Sequence, residues 1–105
     1  MNDVEEIDKL LKKYPNRVAV ILEPTNNFKK EHSLNKLKYI INGNNSIALF
    51  LFHIKQLNNL KTYKSFYLFN HNVLISPSLT FNQLKEQYNN EKVLFLTIDC
   101  ESAFG

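Results

Sequence analysis

The 105 residues hold 44% apolar and 12% aromatic side chains with a net charge of +3, which suits one packed domain over 1–105 and excludes a disordered chain. No segment approaches the roughly 20 apolar residues that span a bilayer, and a lone cysteine excludes an internal disulfide. The charge is uneven: residues 1–8 carry Asp3, Glu5, Glu6 and Asp8 with no base, whereas Thr25 to Lys64 carries seven lysines against Glu31 alone. Phosphate and base recognition leans on arginine forks, and Arg17 is the only arginine, so a solvated lysine face is expected and no nucleic-acid partner. The acidic opening lacks a signal-peptide pattern, and the single thiol fits a reducing compartment.

Residues 3–13 read as a helix. Asp3 and Glu6 form a D-x-x-E capping pattern, Val4, Ile7, Leu10 and Leu11 recur at helical spacing, and Pro15 stops the run. Arg17 to Glu23 is a β-branched and aliphatic strand, broken at Pro24-Thr25-Asn26-Asn27. A polar, lysine-bearing loop leads to a second strand, Leu37 to Ile41. Asn42-Gly43 then turns the chain into a long helix, Ile47 to Leu60, capped by Asn45 or Ser46. Apolar groups wrap this helix beyond the ~100° stripe that one sheet needs, which points either to sequence noise or to a second apolar contact such as a ligand groove.

Phe66 to Ile75 is a hairpin turning at Asn70-His71-Asn72. Thr80 caps a short helix, Phe81 to Tyr88, and Val93 to Ile98 is a strand expected to be buried on both faces. The order specifies an α+β fold of ubiquitin-like β-grasp type. It has a mixed four-stranded sheet, a long packing helix, a short second helix and one N-terminal helix (1–14). First and last strands are parallel neighbours within a 16–99 core, and 100–105 form a C-terminal tail.

Chemistry is scarce. Cys100 with His32, His53 and His71 lacks a nucleophile elbow, a glycine-rich oxyanion turn or an orienting acid, so an inert thiol is expected. The histidines have no i,i+4 partner and no C-x-x-C, which leaves no zinc pattern and no cofactor. An enzyme is not expected. The final Gly105 has no Cβ, which lets a terminal carbonyl thread a narrow channel.

Four stretches resemble one family. Lys12-Lys13-Tyr14-Pro15-Asn16-Arg17-Val18-Ala19-Val20-Ile21-Leu22-Glu23 is similar to the K-K-Y-P-x-R-[IV]-P-V-[IV]-x-E run of the GABARAP-type autophagy ubiquitin-like modifiers. Lys38-Tyr39-Ile40-Ile41 resembles their K-[YF]-L-V strand. Phe50 and Ile54 match F-x-x-x-I in their long helix, and Glu101-Ser102-Ala103-Phe104-Gly105 resembles their E-[SN]-x-[YF]-G ending.

The resemblance implies a modifier. Gly105 would be activated by a ubiquitin-activating-like enzyme, passed to a conjugating enzyme and joined to phosphatidylethanolamine, with Phe104 as the aromatic that precedes it. The protein would be cytoplasmic when free and autophagosomal when lipidated. The family also binds cargo receptors through aromatic-x-x-aliphatic peptides that add a strand to the sheet edge. That edge would be Lys38 to Ile41. The first pocket would use Glu6, Leu10, Ala19, Ile21, Lys38, Ile40 and Val93, and the second Tyr39, Ile41, Asn45, Phe50 and His53. Arg17 would meet acids flanking the peptide.

The chain departs from the pattern in three places. Only thirteen residues precede Tyr14, so the outermost of the family's two helices is expected to be absent, with any membrane tethering by it. Ala19 stands for proline, and Asn45 and His53 replace aliphatics, which implies a more polar, weaker second pocket. The chain ends at glycine, so it is either a processed form or one that needs no processing. The alternatives are the sister autophagy modifier, joined to a protein lysine, and an unconjugated β-grasp adaptor.

Overall fold

The computed structural model describes residues 3–60, 64–88 and 91–101, with side chains from Glu5 onward. Helix α1 spans Asp3–Lys13, strand β1 Arg17–Pro24, helix α2 Asn26–Lys29 and strand β2 Lys38–Asn42. Helix α3 follows at Ile47–Leu57, then strands β3 Phe66–Asn70 and β4 Val73–Leu74, helix α4 Phe81–Gln87 and strand β5 Val93–Cys100.

The sheet order is β2-β1-β5-β3-β4, with β1 and β5 parallel at its centre and the other pairs antiparallel. This is the expected ubiquitin-like β-grasp with one correction, because the sheet has five strands rather than four. Val73 and Leu74 pair with Asn70 and Phe69 across a two-residue turn, which is enough to count as an edge strand. His71 and Asn72 both take positive φ, 50° and 64°, as a primed hairpin turn requires, while Asn70 stays buried in β3.

The core lies on one face of the sheet. Val18, Val20 and Leu22 of β1 and Leu94, Leu96 and Ile98 of β5 point inward to Ile47, Phe50 and Ile54 of α3 and to Phe81 and Leu84 of α4. The helices start where hydroxyl side chains take up their free N–H groups: Ser46 accepts from Leu49 N, and Thr80 forms a full capping box with Gln83. Burial of β5 on both faces does not hold. Phe95 is 67% exposed, because α1 is packed against β1 and leaves the middle of the outer face open.

Further boundaries differ from the sequence reading: β5 runs to Cys100, two residues past the expected Ile98 and one into the expected tail. The polar loop after β1 contains α2, capped by Thr25, and it buries Phe28 completely and His32 nearly so. Helix α3 ends at Leu57 because Asn59 takes a positive φ, 53°, and Leu60 N turns back to Lys55 O at 2.9 Å; the Asn58 side chain points inward, donating to Ile54 O at 3.0 Å and to the Tyr39 hydroxyl at 3.3 Å. Gly43 sits against Asn82 so closely that a Cβ there would collide with the Asn82 amide. That contact and the Asn82 N–H bond to Gly43 O, 2.9 Å, pin the β2–α3 turn to α4.

Candidate functional site

Strand alternation divides the residues proposed for peptide binding into two sets. Ala19 pairs with Ile40 on one side and Val93 on the other, and Ile21 pairs with Lys38 and Phe95. Paired residues face the same way, so Ala19, Ile21, Lys38, Ile40 and Val93 share the outer face, opposite the core. Ala19 is fully buried although it points away from α3; α1, packed on β1 with Ile7 buried, covers it. Glu6 and Leu10 lie one turn apart on α1, beside Ile7 and exposed to solvent. The expected first-pocket residues therefore come together at the junction of α1 with the outer face. Asp8 and Lys92 pair across this junction at 3.2 Å.

Tyr39 and Ile41 alternate to the inner face, where both are buried in the core cluster. Tyr39 meets Phe50 edge to face at 5.4 Å, and Phe50 in turn meets Phe81 at 5.2 Å. Burial pushes the Tyr39 phenol above its ordinary range, against the opposing effect of the bond from Asn58. Of the expected second-pocket residues only Asn45, half-buried, and His53, exposed on α3, reach solvent. The accessible apolar groups between β2 and this flank of α3 are Leu37, Leu49 and Leu57, at 45, 40 and 66% exposure. Leu49 and Leu57 lie one turn before and after His53, and their 4-residue spacing is the signal that marks them.

The surplus apolar surface of α3 has two destinations. One flank carries Leu49, His53 and Leu57. The other, with Leu51, Phe52 and Lys55, lines a cavity of about 620 Å³ against Phe66, Leu68 and Ile75 at the opposite side of the sheet.

Strand β2 stands at one edge of the sheet, with β1 as its neighbouring strand among the described residues. Arg17 stands exposed at its far end, paired with Asn42. This edge, with Lys38 and Ile40 on one face, can accept an added strand.

The four candidate nucleophile and base residues are not assembled into a catalytic group. His53 and His71 are exposed on separate elements, and His71 lies 5.9 Å from the Tyr88 ring. Cys100 Sγ is buried 4.0 Å from His32 Nδ1. Burial raises the thiol above its ordinary range, with a further rise from the Asp99 carboxylate that Lys64 partly offsets, so the thiolate is disfavoured. Among the described residues no three His, Cys, Asp or Glu side chains gather as a metal site. No described helix is long and apolar enough to cross a membrane. Phe104 and Gly105 lie outside the described residues.

The chain is similar in fold to the crystal structure of Trypanosoma brucei ATG8, with a TM-score of 0.82 and 17% identity over 96% of this chain and 87% of that one. It is also similar to Plasmodium falciparum Atg8, solved in complex with a Plasmodium falciparum Atg3 peptide, with a TM-score of 0.74 and 28% identity over 94% and 88% of the two chains. Residues 2–105 match the family model described as "Autophagy protein Atg8 ubiquitin like". A β-grasp sheet with β2 at its edge agrees with that match, and the chain belongs to the Atg8 family of ubiquitin-like autophagy proteins, which are not enzymes.

Proposed function

We infer that this Atg8-family chain is a GABARAP-type modifier, joined through Gly105 to phosphatidylethanolamine, which recruits cargo receptors by adding their aromatic-x-x-aliphatic peptides to β2. The observation that carries the recruitment half is the shared outer face of Ala19, Ile21, Lys38, Ile40 and Val93 beside an edge strand with one neighbour. A peptide strand on β2 gains backbone hydrogen bonds, and its aromatic anchor rests where Glu6 and Leu10 of α1 meet that face. The aliphatic anchor rests on the α3 side, near Asn45 and His53, over the wall formed by Tyr39, Ile41 and Phe50. Arg17 meets acids that flank the peptide.

The lipidation half is supported by family membership and by the Phe104-Gly105 pair, a glycine after an aromatic. The relative solved with an Atg3 peptide supports a conjugating enzyme as one partner, alongside a ubiquitin-activating-like enzyme. Lipidation would move the protein from the cytoplasm to the autophagosomal membrane. Incubating the full chain with the activating and conjugating enzymes and phosphatidylethanolamine liposomes tests this: a faster-migrating lipid-linked band is expected, absent for Gly105→Ala. Conjugation retained by Gly105→Ala, or none with the unaltered chain, refutes the modifier reading.

A further inference from the structure

The end of β5 is held by a side-chain clamp that the strand pattern does not require. Backbone pairing with β1 stops at Pro24, opposite Ile98, and Thr25 N donates to Ile98 O at 3.0 Å. Past that point no β1 residue is left to bond the Cys100 carbonyl. Asn27, in the first turn of α2, replaces it: its Nδ2 donates to Cys100 O at 2.9 Å and to Asp99 Oδ1 at 3.1 Å.

The same Asp99 oxygen accepts from Thr25 Oγ1 at 2.7 Å and from Cys100 N at 2.8 Å. Thr25 is also the cap of α2, accepting from Phe28 N, so the helix start and the strand end share one network. On the other side, Ser65 O accepts from Glu101 N at 3.2 Å, and Ser65 N donates to Glu101 Oε1 at 2.7 Å. Residues 99–101 are therefore gripped by α2 on one flank and by the start of β3 on the other.

We propose that Thr25, Asn27 and Asp99 are positioning residues for conjugation, fixing the place of Glu101, to which residues 102–105 are joined. The proposal rests on the modifier reading given above. Four residues reach at most about 14 Å, so a shift of their origin is a large fraction of their span. An activating enzyme that docks on the folded body must receive the glycine carboxylate within bonding reach of its nucleotide. Errors of about 1 Å in such placement can cost on the order of 100-fold in rate. Docking itself involves the body and is unaffected by the clamp.

The test compares the unaltered chain with Asn27→Ala and Thr25→Ser. Amide hydrogen exchange is measured at Cys100 and Glu101, and thioester formation with the activating enzyme is resolved into kcat and KM. Binding of an aromatic-x-x-aliphatic peptide at β2 reports that each variant is folded. Asn27→Ala is expected to speed exchange at both amides and lower kcat about tenfold with KM unchanged. Thr25→Ser, which keeps the hydroxyl, is expected to match the unaltered chain in both. Should Asn27→Ala lose the peptide, Asn27→Ser, too short to reach Cys100 O, replaces it.

Faster exchange with unchanged kcat overturns the proposal and leaves the modifier reading standing. So does a rise in KM alone, or exchange that does not change. No thioester from the unaltered chain refutes the modifier reading itself, and the proposal falls with it.

Discussion

Tyr39 and Phe50 meet edge to face, 5.4 Å between centroids, and this contact closes the floor between β2 and α3. Such pairs contribute about 0.5–1.5 kcal/mol beyond the area they bury. Phe50 is thus a core residue, 3% exposed. His53, exposed one turn along α3, is the better handle on peptide specificity. His53→Leu is expected to strengthen binding of a peptide with leucine at its last anchor by about fivefold, near 1 kcal/mol, with little change in stability. Calorimetric titration with leucine and asparagine at that anchor checks this; an equal gain for both would refute it. Phe50→Ala, by contrast, should cost about 3–5 kcal/mol in urea unfolding.

Acid should loosen the end of β5. Partial burial raises the Asp99 carboxyl, but the bonds from Thr25, Asn27 and Cys100 N together outweigh it and hold the group below its ordinary range. A depressed folded-state value contributes stability that is fully present above the unfolded value of about 3.9 and is lost as pH falls through the folded one. Unfolding midpoints in urea should therefore fall below about pH 4 less steeply for Asp99→Asn than for the unaltered chain. Equal slopes would remove Asp99 from the acid response.

Cys100 should be slow to alkylate. Its thiol is buried and raised, by burial first and by the neighbouring Asp99 carboxylate second. Iodoacetamide at neutral pH is expected to label the native chain at least ~10-fold more slowly than the urea-unfolded chain, since only the thiolate reacts. Comparable rates would mean that the strand end opens readily.

Gly43 and Asn82 should behave as a coupled pair. A Cβ at Gly43 displaces the Asn82 side chain, which donates to Asn44 Oδ1 at 3.2 Å. Gly43→Ala is expected to cost about 1–2 kcal/mol by overpacking, and Asn82→Ala to recover most of it in the double variant. Additive losses in thermal or urea unfolding would place the strain elsewhere.

The elements with a strong period were legible without coordinates. Ile7 with Leu10 and Leu11, the run Val18 to Leu22, and Thr80 ahead of Phe81 and Leu84 fix helix, strand and capped helix, because side-chain spacing of 3.6 or 2 follows from the local backbone. The edge position of Lys38 to Ile41 and the outer-face grouping with Ala19, Ile21 and Val93 agree with the pattern and the family resemblance together.

Tertiary packing decided what no local rule contains. Helix α2 is only four residues long, and its place depends on Phe28 finding a fully buried seat and on Thr25 and Asn27 meeting Asp99 and Cys100 more than 70 residues away. Strand β4 exists because Leu74 pairs with Phe69 across the turn, and Phe95 stands exposed while its neighbours Leu94 and Leu96 are buried. Periodicity tells which side chains share a face; only packing tells which face is covered, how deeply, and by what. Tyr39, Ile41 and Phe50 lie in the core beneath the β2 edge for that reason, while His53 stands open on α3.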